Sequence, residues 1–339
     1  MNPAKTALDL IGKPVGVVSN ALNRPSAAGR NRPLYPLNLV DAVMGDSLED
    51  AVRNRVALIT GASSGIGAVT ARRIGAAGGA VVLVARGRDK LEETAEAVED
   101  AGGSAHVYPC DLTDLDAIAE MAERVEADLG GVDILVNNAG KSIRRSLELS
   151  YDRMHDYQRT MQLNYFAPVR LMLVLLPGMR DRGFGTVINV SSIGVLTRVP
   201  RFGAYIASKA ALDTLCDAWQ AETHSDDVRF STVHMSLVRT PMIEATTIYQ
   251  HFPVLTPDEA ADVLCEAIVR RPRRVSPPFG QIAAFADAMS PAIMDRVRSQ
   301  GFQLFADSSA ARGEIEAKDE QDVSVAGRVF AELTRGVHW

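Results

Sequence analysis

The 339-residue chain is poor in cysteine, poor in aromatic side chains (6%) and without an excess of positive charge. The cysteines and the charge each remove a class of function. Cys110, Cys216 and Cys265 stand far apart, without the paired spacing of a zinc site or the density of a disulfide scaffold. They read as buried, reduced thiols of a cytosolic protein, and no metal site is expected. A net charge of −6 opposes nonspecific binding to nucleic acid. The most apolar stretch, Leu171 to Met179, is about half the roughly 20 residues that a bilayer requires. The N-terminus carries Lys5 and Lys13 but no continuous apolar segment of the signal-peptide kind. A cytoplasmic location without a transmembrane segment is therefore expected, with peripheral membrane contact left open.

What is present is an ordinary globular balance, 47% apolar and 23% charged, in a length that suits one large domain. Residues 1–36 are rich in Pro, Asn, Arg and Gly and read as a loosely ordered arm. An amphipathic stretch from Leu37 to Val52 follows, so 1–53 is taken as arm and short helix. From Arg55, short Val/Ile/Leu/Ala runs at 55–60, 80–85, 104–109, 132–137, 184–191 and 228–235 alternate with helical patterns. Those patterns lie near 65–77, 88–101, 114–129, 154–181 and 203–225. Strands that are apolar throughout are covered on both faces, so the alternation predicts an α/β fold with a doubly wound parallel sheet over 54–279. Ligands of such sheets bind at the carboxyl ends of the strands. The irregular segment 240–256 suits a substrate lid, followed by a helix at 257–270. Residues 280–339 form a C-terminal helical extension: a packing layer, an oligomer contact or a membrane-surface helix.

Thr60 to Gly67 read TGASSGIG directly after the first strand. Gly61, Gly65 and Gly67 there permit positive φ and close approach of a pyrophosphate, which also gains from the helix N-terminus. The second strand ends in Ala85-Arg86, with Arg88 nearby, where an acidic residue would favour NAD. A guanidinium suits a 2′-phosphate, so NADPH is the expected cofactor; the plainer reading is a solvated arginine. Asp111 follows the third strand and suits either the adenine amino group or a turn. Asn137-Asn138-Ala139-Gly140 closes the fourth strand with small residues that leave room for a flat ring.

Tyr205 and Lys209 are four apart and share a helix face. An ammonium near the phenol is expected to lower the tyrosine pKa from about 10 and ease proton exchange. Ser192, past another apolar strand, can hold a carbonyl oxygen while Tyr205 donates. Asn164 can anchor a water that relays protons toward Lys209.

This order of features resembles the short-chain dehydrogenase/reductase family over roughly residues 54–275. The resemblance implies a Rossmann-type sheet and a catalytic tetrad of Asn164, Ser192, Tyr205 and Lys209. It also implies NADPH contacts from Gly61, Ser63, Ser64, Gly65, Ile66, Gly67, Arg86, Asp111, Leu112, Asn138, Ala139, Gly140, Tyr205, Lys209, Val238 and Thr240. The family's usual Pro-Gly after the sixth strand is replaced by Met235-Ser236. Self-association as a homodimer or homotetramer is a further implication of the kinship.

GKSIRRS (140–146), TMQLNYF (160–166), SSIGVL (191–196), LVRTPMI (237–243), IVRRPRRV (268–275) and the closing His338-Trp339 are similar to bacterial single-domain fatty acyl-CoA reductases of the wax-ester type. That resemblance implies NADPH-dependent reduction of long-chain acyl-CoA to fatty aldehyde. Met242, Ile243, Ile248, Tyr249 and Phe252 then either wall an acyl chain or simply pack the lid. Arg144, Arg145, Arg198 and Arg201, or Arg270, Arg271, Arg273 and Arg274, are the candidates for coenzyme A phosphates. The alternative is an NADP(H)-dependent reductase of a lipophilic ketone, steroid or aldehyde. A cofactor-binding scaffold without turnover is the non-enzymatic rival.

Overall fold

Strands apolar on both sides need helices on both sides, and the chain supplies them. The computed structural model describes residues 47–244, 254–304, 307 and 309–312. Among the described residues seven strands, β1 (Val56–Thr60), β2 (Ala80–Ala85), β3 (Ser104–Pro109), β4 (Ile134–Asn137), β5 (Gly185–Ser192), β6 (Val228–Met235) and β7 (Arg274–Val275), form one sheet. All pair in parallel in the order β3-β2-β1-β4-β5-β6-β7. The order reverses between β1 and β4, which opens a crevice at their carboxyl ends.

The helices are α1 (Leu48–Val52), α2 (Gly65–Ala76), α3 (Arg88–Glu99), α4 (Leu115–Leu129), α5 (Met154–Met161), α6 (Ala167–Asp181), α7 (Ile193–Thr197) and α8 (Gly203–Thr223). Then come α9 (Pro241–Glu244), α10 (Pro257–Arg270), α11 (Pro278–Met289), α12 (Pro291–Leu304) and α13 (Ser309–Arg312). Among the described residues, no helix is long and apolar enough to cross a membrane.

The two cores follow the two-residue period of the strands. Ala57, Ile59, Val81, Leu83, Ile134 and Val136 face one way and pack with Ile74, Leu91, Leu264 and Ile268. Leu58, Val82, Val84 and Leu135 face the other way, with Ile118, Val125, Leu171, Leu175 and Phe230. Local chemistry fixes the helix ends. Asp114 caps α4 through bonds from Asp116 N and Ala117 N, and Gly130 closes it at φ 78°. At α10, Thr256 and Glu259 form a reciprocal capping box with Pro257 in the first turn.

Two expectations need correction. The helix expected from Leu37 to Val52 cannot run through Ser47, which is extended (φ −83°, ψ 165°) and caps α1 with Asp50; residues 37–46 lie outside the described residues. The helix expected over 154–181 is interrupted by a π turn at Gln162–Phe166, whose added residue turns Asn164 fully into the interior. The two-residue β7 and the five-residue α7 went unpredicted because neither is long enough to carry a period. Of the expected lid, Leu255 pairs with Val238, whereas Ile248, Tyr249 and Phe252 lie outside the described residues.

Candidate active site

The glycine turn is forced by contact. Gly61 has φ +66°, and a Cβ there would stand 3.0 Å from both Ala139 Cα and the Asn138 amide nitrogen. A Cβ on Gly67 would meet the Gly61 carbonyl oxygen at 2.4 Å. Ser64, before α2, gives that helix no side-chain cap, and no acidic residue occupies its first turn. Its free N–H groups therefore face an anion site without an internal competitor. Thr60 and Asn138 clamp the opposite lip. Thr60 Oγ1 accepts from Asn138 N and Ala139 N, both at 3.0 Å, and Asn138 Nδ2 donates to Thr60 O at 2.9 Å. Thr240 sits over the turn, its Cγ2 3.1 Å from where a Gly65 side chain would begin.

The crevice beyond these lips has a volume of about 1390 Å³, above the ~300–1,000 Å³ usual for a small-ligand pocket. Every cofactor-contact residue expected from the sequence lines it, except Gly67, which is buried beneath. Ser192, Tyr205 and Lys209 line it too, while Asn164 lies behind the wall. The cradle that tolerates no side chain, the uncapped helix N-terminus and a crevice of this size fit a dinucleotide.

β5 delivers Ser192 at its tip, where the hydroxyl also caps α7 by accepting from Gly194 N at 3.1 Å. α8 carries Tyr205 and Lys209 one turn apart. The Ser192 hydroxyl acts to lower the Tyr205 pKa, and Lys209 Nζ donates to Val190 O at 2.8 Å. Lys209 Nζ and Asn164 Oδ1 each stand 3.3 Å from where a Gly140 side chain would begin, so a larger residue there would press on both. Both amide protons of Asn164 are used, toward Lys141 O and Ser208 Oγ at 2.9 Å, and Oδ1 accepts from Lys141 N at 2.8 Å. The Asn164 side chain thus braces the β4 loop against α8.

The electrostatics correct one expectation. Burial, the largest influence, pushes the Tyr205 phenol above its ordinary pKa; the Ser192 bond opposes the rise and Asp213 adds to it. Desolvation pulls Lys209 down to about 8, with Asp213 acting upward. In this structure the phenol is held protonated, the form a proton donor needs, rather than acidified by its neighbour.

The arginine clusters also read differently in three dimensions. Arg145 binds Asp156 and the Ala311 carbonyl, Arg201 binds Asp307, and Arg198 and Arg298 share Asp287. They fasten α11–α13 onto the loop after β4 and onto α7. Arg271 binds Gly185 O and Asp227 at the amino end of β5, while Arg273 and Arg274 share Asp217. None of these last three lines the crevice. Arg86 does, but Arg88 turns to Glu92 at 3.4 Å. Asp111 takes the turn role, accepting from Thr113 N at 3.0 Å and Oγ1 at 2.9 Å, which lowers its pKa. Lys90, Lys141 and Arg159 also line the crevice and were not singled out from the sequence. Lys141, next after Asn-Asn-Ala-Gly, carried a signal in its position; Arg159 on α5 carried none.

A family model described as short chain dehydrogenase matches residues 55–249. The chain is 63% identical over 334 residues to an uncharacterised oxidoreductase of Mycobacterium tuberculosis, covering 98% of each protein. It is 49% identical over 288 residues to the fatty acyl-CoA reductase of Acinetobacter baylyi, covering 85% of this chain and 96% of that one. A solved metagenomic short-chain oxidoreductase in complex with NADP aligns at a TM-score of 0.58 and 33% identity, over 67% of this chain and 97% of that one.

Proposed function

This chain belongs to the short-chain dehydrogenase family, and from that premise we propose that it reduces long-chain fatty acyl-CoA to fatty aldehyde with NADPH. The observation that carries the reading is the meeting of Ser192, Tyr205 and Lys209 with the glycine turn in one crevice. The acyl-CoA assignment draws on the reductase of Acinetobacter baylyi. It also draws on a crevice that joins the apolar Met242 and Ile243 to the cationic Lys141, Arg144 and Arg159, as a substrate with a lipid tail and a phosphorylated head requires.

Bound NADPH supplies the hydride that the thioester carbon accepts. Ser192 and Tyr205 donate hydrogen bonds to the carbonyl oxygen and stabilise the charge that develops on it. The oxyanion then reforms the carbonyl, the carbon–sulfur bond breaks, and coenzyme A leaves as a thiolate that takes up a proton, leaving the aldehyde. Lys209 holds positive charge beneath the phenol. Asn164 fixes Gly140 and Lys141 at the edge where the nicotinamide would lie. Gly61, Ser63, Ser64, Gly65 and Ile66 would take the pyrophosphate, Asp111 and Leu112 the adenine side, and Val238 and Thr240 the carboxamide side.

Purified protein with NADPH and a long-chain acyl-CoA tests the reaction. Loss of nicotinamide absorbance with matching thiol release is expected. Loss only with ketones, steroids or free aldehydes assigns the other substrate class, and no loss with any carbonyl refutes turnover.

Arg86 and Lys90 are the cations at the tip of β2 that line the crevice. Charge-assisted bonds are worth about 1.5–3 kcal/mol, so Arg86→Ala is expected to weaken NADPH binding about 10- to 100-fold. NADH binding should change less than about twofold. Equal losses for both nucleotides, read by fluorescence titration, would remove the 2′-phosphate role.

A further inference from the structure

Behind the tetrad lies a buried polar chain that the reaction as described does not use. Asp213 follows Lys209 by one turn of α8 and is buried. Its Oδ2 accepts from Ser191 Oγ at 2.8 Å and lies 3.1 Å from His234 Nε2. His234 Nδ1 lies 2.8 Å from Ser276 Oγ. Ser191, His234 and Ser276 are buried as well. The imidazole links Asp213 to Ser276, its Nε2–H donating to the carboxylate and its Nδ1 sharing a hydrogen bond with Ser276. Four elements meet here: the tip of β5 beside Ser192, α8, the end of β6, and the residue after β7.

A buried carboxylate is costly unless opposite charge or donors compensate it. Two donors face Oδ2, whereas Oδ1 is buried without a hydrogen-bond partner. Lys209, one turn earlier on the same helix and also buried, is a cation on which this carboxylate acts electrostatically. We propose that Asp213, gripped by Ser191 and His234, is a positioning residue that supplies the fixed negative charge keeping Lys209 protonated behind Tyr205. The same grip ties that charge to the strand tip bearing Ser192, so the proton donor and the oxyanion donor share one rigid support.

The ionisable side chains sharing this field are Tyr205, Lys209 and Cys216 on α8 and His234 on β6, with Arg273 beside Cys216. β5 and α7 contribute none. On β6, Arg229 is paired with Asp227, and on α5, Asp156 faces Arg159 and Arg145. The π turn carries Tyr165. Lysine loses its charge as pH rises through its pKa, and Asp213 acts to raise that pKa. Removing the carboxylate must therefore move the loss of charge to lower pH.

The test is a pH titration of the Lys209 Cε resonance in ¹³C-lysine-labelled full-length protein, assigned with Lys209→Arg. Asp213→Asn is expected to lower the midpoint by about one pH unit. Ser191→Ala keeps the charge and should leave the midpoint nearly in place. The alkaline limb of kcat/KM should shift with Asp213→Asn in the same direction. Asp213→Ser removes the same charge should the amide variant not fold. An unmoved midpoint in the charge-removing variant, or an equal shift in Ser191→Ala, overturns the proposal. The proposal rests on Lys209 belonging to the reductase tetrad. Because the resonance needs no substrate, a failed acyl-CoA assay and a failed coupling are separate results.

Discussion

Tyr205→Phe is expected to lower kcat for carbonyl reduction by about 10²–10⁴ while changing NADPH affinity less than about twofold. The change removes one hydroxyl and little else. The ring is half-buried and packs edge-on against Phe202, with centroids 6.4 Å apart, a contact that phenylalanine keeps. Lys209 keeps its bond to Val190 O, and the glycine turn is untouched. What disappears is the proton that the phenol would donate. Since burial holds the phenol above its ordinary pKa, it is protonated throughout the neutral range. The alkaline limit of reduction then belongs to Lys209, pulled down to about 8. Steady-state turnover with fluorescence titration of NADPH checks this. A variant within tenfold of the parent would deny the phenol its role as donor.

The parts of the molecule legible from sequence are those with a local cause. Val56–Thr60 and Ala80–Ala85 are apolar at every position or nearly so, and both are central strands. TGASSGIG announced a turn because glycine alone takes φ near +60° without strain. Tyr205 and Lys209 fell on one helix face because a period fixes directions. The illegible parts depend on residues far apart in the chain. Nothing local shows that Arg145 would reach Ala311, 166 positions on, or that His234 would meet Asp213 and Ser276. The π turn is legible only once Asn164 is known to serve Lys141 and Ser208. The tyrosine shift went the wrong way for a related reason. Four-residue spacing reports proximity to an ammonium, but only packing reports desolvation, and desolvation dominates here.

Gly67→Ala is the backbone counterpart of the tyrosine test, and its effect should fall on the cofactor. Alanine favours helices over glycine by roughly 1 kcal/mol, so propensity alone predicts a gain in α2. Contact predicts the opposite. The new Cβ would stand 2.4 Å from the Gly61 carbonyl oxygen and 2.8 Å from Asn138 Nδ2. Neither neighbour is a free side-chain end: one is turn backbone at φ +66°, and the other is bonded to Thr60 O. Relief requires moving the turn off β1 or turning Asn138 out of its clamp, and either move reshapes the pyrophosphate cradle. Overpacking of this kind costs about 1–3 kcal/mol, so the melting temperature should fall and NADPH affinity should drop by about tenfold or more. Gly203→Ala gives the comparison, because no atom lies within 4 Å of its added Cβ and its φ is not positive. That variant should be neutral or slightly stabilising, by under about 1 kcal/mol, with unchanged NADPH binding. If Gly67→Ala bound NADPH as tightly as Gly203→Ala, the turn would not be the seat of the pyrophosphate, and the fit of the crevice to a dinucleotide would lose its main support.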